Sequence, residues 1–147
     1  MSIKDSQIKI ALITACGKKK ENKPLQAGKL YRSSRIRHLY KKSKNFSVPF
    51  YILSAKYGLV FGDRVIEPYE ALMDQQSCEK MEKQLEDVLR NFDAVIYYRG
   101  GAGKEYFECI KRAAQKLGVE FIYFGYKNMG GIGELGQILE EIREKHQ

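Results

Sequence analysis

Four short apolar runs set the strongest limit on what this chain can fold into. They are residues 8–14 (with "KIALIT"), 50–54 ("FYILS"), 94–98 ("AVIYY") and 120–124 ("EFIYF"). Each is unbroken and rich in Ile, Val, Phe or Tyr. A strand with one wet face would alternate polar and apolar residues. An unbroken run suits a strand buried on both faces of a parallel sheet.

Helical periodicity fills the gaps. Cys78, Met81, Leu85, Val88 and Leu89 share one face after Ser77, a cap candidate. Tyr106, Ile110, Ala113, Ala114 and Leu117 make a second face, stopped by Gly118. Ile132, Leu135, Ile138, Leu139 and Ile142 make a third. In the first connection the apolar face changes side near Ser33–Ser34, so a serine there caps a new helix over about residues 35–44. On it Ile36, Leu39 and Tyr40 face the core and basic residues cover the rest. Strand and helix alternate four times. The expectation is one α/β domain over residues 1–147: a Rossmann-like, three-layer α/β/α fold with a mainly parallel sheet of about four strands.

In such a fold all parallel strands end on one edge, and ligands bind in the loops beyond it. Those loops are "TACGKKK", "SAKYGLV", "RGGAGK" and "GYKNMGGIGE". Every unusual cluster in the chain falls there. In the second, Ser54 offers a hydroxyl, Lys56 a cation and Tyr57 a flat ring with a polar tip. The segment that follows, "DRVIEPYEALMD", is long for a turn and suits a wall or lid, with Pro68 stiffening it beside Glu67 and Tyr69. Tyr57 and Tyr69 read equally well as core packing. Gly100 and Gly101 open a glycine-rich turn into a helix, which leaves N–H donors for an anion, and Lys104 adds charge. It is not a Walker loop, because Tyr98 and Glu105 stand where Gly and Ser or Thr are needed. "GGIGE" repeats the device at the last helix. Cys16 precedes three lysines that would lower its pKa, though a small cysteine at a strand end is more often plain packing.

The net charge of +8 is localised. Residues 18–44 carry eleven basic side chains and one acid, Glu21, while the rest of the chain sums to −2. Such a block attracts the phosphates of a nucleic acid or nucleotide, or else forms a solvated surface. No run reaches the ~20 apolar residues of a membrane span. The N-terminus lacks the small-residue cleavage pattern of a signal peptide. Three cysteines (Cys16, Cys78, Cys109) without close pairing argue for a reducing compartment and against a disulfide scaffold or zinc knuckle. The two histidines suggest no metal cluster. The expectation is a cytoplasmic, metal-free protein without membrane attachment or cofactor.

The set "ITACGKKK", "LYRSSRIR", "ILSAKYGLV", "IEPYEALM", "RGGAGKEYF" and "GGIGE" resembles a family of small uncharacterised α/β proteins of bacteria, archaea and their viruses, over residues 10–136. "LSAKYGL" with the later "PY" also looks like part of the peroxide-stress YaaA family, which binds DNA. It is similar, too, to an accessory domain of archaeal enzymes that modify guanine in tRNA, a domain of the uracil-DNA-glycosylase type. The resemblance marks Cys16, Lys18, Tyr31, Ser33, Arg35, Ser54, Lys56, Tyr57, Glu67, Pro68, Tyr69, Gly100 and Gly101 as motif positions. It implies chemistry on nucleic acids or nucleobases and leaves the reaction open.

Two function classes follow. In the first, an N-glycosidase or base transferase cleaves or exchanges a nucleobase–sugar bond. Positive charge then builds on the sugar, and a carboxylate stabilises it. Glu67 is the first candidate and Asp74 the second. Tyr57 or Tyr69 would stack on the base, Lys56, Lys18 and Arg35 would hold phosphate, and Gly100 and Gly101 would donate N–H groups. In the second class the same cleft binds a nucleic acid or nucleotide without catalysis.

Overall fold

A computed structural model describes residues 8–101, 103–125 and 131–146. The four apolar runs are strands: β1 (Ile10–Ala15), β3 (Phe50–Ser54), β6 (Ala94–Tyr98) and β7 (Glu120–Phe124). Neighbouring pairs β3–β1, β1–β6 and β6–β7 run parallel. Among the described residues the sheet has five strands rather than about four, in the order β4 (Gly58–Phe61), β3, β1, β6, β7. The extra strand, β4, pairs antiparallel with β3 at the edge, so the sheet is mixed. Its four residues, opening on glycine, are too short to stand out from a loop in sequence. A two-stranded antiparallel ribbon, β2 (Leu25–Gln26) with β5 (Val65–Ile66), lies outside the main sheet.

Helices cover both faces. Ile10 and Leu12 of β1 pack on one side with α1 (Ala27–Leu30), α2 (Ser34–Asn45) and α5 (Leu135–Lys145). Ala11 and Ile13 pack on the other with α3 (Gln75–Leu89) and α4 (Lys104–Leu117). The strand's period of two thus feeds two cores, which is why its sequence shows no polar alternation. Ser33 caps α2, its hydroxyl accepting from Ile36 N at 3.2 Å. Gly118 ends α4 in the left-handed conformation, φ 72°.

Two expectations are corrected here. The cap of α3 is Asp74, not Ser77: its carboxylate accepts from Ser77 N at 2.7 Å. Cys78 on α3 and Cys109 on α4 form a disulfide, 31 residues apart in sequence, and Cys16 is the free thiol. A cysteine count could not reveal this, because the packing of α3 on α4 makes the pair. The inference from cysteine usage to a reducing compartment loses its premise. No helix among the described residues is long and apolar enough to cross a membrane.

Gly28 in α1 packs against the face of the Tyr40 ring, where a β-carbon would overlap ring atoms. The ring is nearly buried, and its hydroxyl donates to Asp63, so it has little room to move. Gly28→Ala is therefore expected to destabilise the fold by about 1–3 kcal/mol, the usual range for overpacking. This outweighs alanine's better helix propensity. A urea midpoint equal to that of the wild type would contradict it.

Candidate functional site

The loops after β1, β3 and β6 leave the same edge of the sheet, because those strands are parallel neighbours around β1. Much of the β7 loop, residues 126–130 of "GYKNMGGIGE", and residue 102 of the glycine turn lie outside the described residues. Beyond them, Ile132–Glu134 forms a 3₁₀ turn leading into α5.

The centre of the edge is a cluster of phenols around Cys16. Tyr31 and Tyr69 share a 2.6 Å hydrogen bond between buried hydroxyls. The Cys16 thiol donates to the Tyr106 hydroxyl at 3.5 Å, and the same hydroxyl accepts from Met73 N at 3.4 Å. Burial pushes the pKa of Tyr31, Tyr69 and Tyr106 up. These phenols stay protonated near neutral pH, so they supply hydrogen bonds rather than bases. Cys16 itself is only 8 % exposed. Such burial fits packing within the cluster better than an open nucleophile.

Two cations border the phenols. Lys20 Nζ lies 4.3 Å from the Tyr69 ring centroid and donates to the carbonyls of Gly17 (3.1 Å) and Lys18 (3.0 Å). Loss of solvation lowers its pKa. Arg35, in the first turn of α2, donates through Nη1 to Thr14 Oγ1 (2.6 Å) and to the Ala15 carbonyl (3.0 Å). Desolvation lowers its pKa too. The guanidinium carries five N–H donors. Those on Nε and Nη2 have no partner, and Arg35 has no carboxylate partner, among the described residues. Gly101, with φ 78°, approaches so closely that a β-carbon would stand 3.1 Å from Arg35 Nε. Only glycine combines that conformation with that contact.

The "SAKYG" stretch turns out to be largely structural. The buried Ser54 hydroxyl accepts from the N–H groups of Lys56 (3.1 Å) and Tyr57 (3.0 Å), closing the turn between β3 and β4. Gly58 takes φ 76° and leaves room for Gln84, whose amide clamps Leu59 N and O at 2.8 Å each. Lys56 is exposed, its Nζ 5.2 Å from the Tyr57 ring centroid. Tyr57 is half-buried and meets Tyr69 edge to face at 5.4 Å. Of the two proposed stacking rings, Tyr69 is buried in the phenol cluster and Tyr57 is the accessible one.

Other expected residues stand further out. Lys18 is exposed. Glu67 is exposed on the irregular segment after β5, two residues before the anchored Tyr69. Asp74 is engaged as the α3 cap, and that hydrogen bond holds its carboxyl below the usual range. The sequence reading missed Thr14 and took Tyr106 for a core residue. The clue for Tyr106 was its position in the first turn of a helix that starts at this edge. Among the described residues no group of three or more His, Cys, Asp or Glu side chains is placed to hold a metal ion.

No curated protein matches the chain. One family model does, over residues 10–139, and so spans the sheet, both helical layers and every residue of the phenol cluster. The chain belongs to that family, described as a Family of unknown function (DUF6884).

Proposed function

We propose that this carboxyl edge binds a phosphate-bearing nucleotide, free or within a nucleic acid, and acts on its base–sugar bond. The single observation that carries the reading is Arg35. Arg35 is half-buried, and a guanidinium that has lost part of its hydration is stabilised by an anionic partner. Among the described residues its remaining donors meet no acid, and Nε stands beside the Gly101 turn at the carboxyl edge of the parallel strands. An incoming phosphate supplies the missing charge and matches the guanidinium fork. Tyr57 offers the accessible ring for a base, with Lys56 beside it.

One observation favours the second reading, a binder without catalysis: Asp74 is held as a helix cap, which leaves Glu67 as the carboxylate on which catalysis would rest. Both readings require Arg35. In calorimetric titrations with nucleoside monophosphates and the matching nucleosides, the wild type should prefer the phosphorylated ligand. Arg35→Lys should weaken that ligand by about tenfold or more, since an ammonium cannot hold Thr14 and Ala15 and still present a fork. Equal affinity for nucleoside and monophosphate would remove the phosphate from the reading.

A further inference from the structure

The basic residues of α2 fall into two groups. Arg37 pairs with Glu21 at 2.9 Å and Lys44 with Asp63 at 3.2 Å, so one flank of the helix is neutralised. Arg35, His38 and Lys42 recur at i, i+3 and i+7, which places them on a single stripe along the other flank, with Lys41 beside it. His38 and Lys41 are exposed and Lys42 is half-buried; none has an acidic partner among the described residues. The stripe begins in the candidate site, at the guanidinium that faces the Gly101 turn.

We infer that the ligand is a single-stranded segment of nucleic acid rather than a free nucleotide, with its backbone running from Arg35 along this stripe. This rests on the proposed function and names its substrate class. Seven residues of α-helix rise ~10 Å. That length is enough to meet consecutive phosphates of one backbone. The stripe is narrow and starts at the half-buried Arg35, which suits one strand, a loop or an extruded nucleotide better than an intact duplex. A lipid surface fits less well. A helix lying on a membrane turns an apolar face outward, whereas Ile36, Leu39 and Tyr40 of α2 are buried in the core.

The test uses the full chain and fluorescence anisotropy with labelled single-stranded DNA and RNA of one to eight nucleotides, each across a salt series. Affinity should rise up to about four nucleotides and then level off. Changing Lys41→Gln and Lys42→Gln together should weaken an eight-nucleotide strand about tenfold and flatten the salt slope by about 1.4, while leaving a monophosphate unaffected. A control of equal charge, Arg37→Gln with Lys44→Gln, should change the slope far less. The DNA and RNA arms distinguish the two sources of the same backbone chemistry. If oligonucleotides bind no tighter than a monophosphate, or the stripe variant binds them like the wild type, this inference fails while the nucleotide site stands. If neither a monophosphate nor an oligonucleotide binds the wild type, the proposed function fails and takes the inference with it. Binding to phosphatidylserine vesicles that the stripe variant loses, without oligonucleotide binding, would overturn the inference in favour of a membrane surface.

Discussion

Reduction of the Cys78–Cys109 bond is expected to lower the stability of the fold by about 3–4 kcal/mol, the chain-entropy value for a loop of this length. The bond closes a 31-residue separation and joins α3 to α4. Against a typical total of 5–15 kcal/mol, that is a large share. The loss should be spread over both helices, because their facing residues belong to one core with Leu85, Leu89, Ile110 and Ala114. It should also reach the site, since Met73 N, just before α3, bonds the Tyr106 hydroxyl in the first turn of α4. The measurement is urea denaturation with and without a thiol reductant. The wild-type midpoint should fall on reduction, and Cys78→Ser with Cys109→Ser should match the reduced wild type and ignore the reductant. A wild-type midpoint that does not respond to reductant would show that the bond contributes nothing in solution.

Glu67→Gln separates enzyme from binder. If the carboxylate stabilises positive charge on a sugar, the substitution keeps size and hydrogen bonding and removes the charge. Turnover of a susceptible base–sugar substrate should fall by ~10²-fold or more, the usual loss for one preorganised electrostatic group. Affinity should change little. The segment that carries Glu67 is suited to deliver it: Pro68 biases the residue before it to an extended backbone, and Tyr69 anchors the chain to Tyr31. Lys56→Ala should act differently and weaken binding, because a phosphate contact serves ground and transition states alike. The assay is release of free base from modified and unmodified DNA, tRNA and nucleosides. Equal release by wild type and Glu67→Gln would exclude Glu67 from the chemistry. No release by the wild type from any of these substrates would leave the non-catalytic binder as the function.

The motif "LSAKYG" shows how sequence prominence can mislead about role. Ser54 and Gly58 stand out because a hairpin turn needs a hydroxyl to close it and a residue tolerant of positive φ. By charge alone Arg35 is one basic residue among eleven in residues 18–44, and only the family resemblance marks it as a motif position. What sets it apart is its position in the first turn of α2, where Thr14 and Ala15 at the end of β1 receive it. Its neighbours Arg37 and Lys44 look the same in sequence and end in ion pairs.

What the sequence determined by itself is what local patterns encode. Unbroken apolar runs specified the four parallel strands, and 3.6-residue periodicity specified four helices, with a serine at 33–34 marking the start of α2 and Gly118 the end of α4. Because all four strands point one way, it also determined which loops share an edge. Only the tertiary structure decided what depends on residues distant in sequence: the fifth strand on β3, the pairing of Cys78 with Cys109, and the Tyr31–Tyr69 hydrogen bond across 38 residues. The same holds for Arg35, which partial burial and its hydrogen bonds to Thr14 and Ala15 distinguish from the other basic residues of α2. The physical reason is that a partner, and the solvent a group loses in meeting it, come into being only when separate elements pack together.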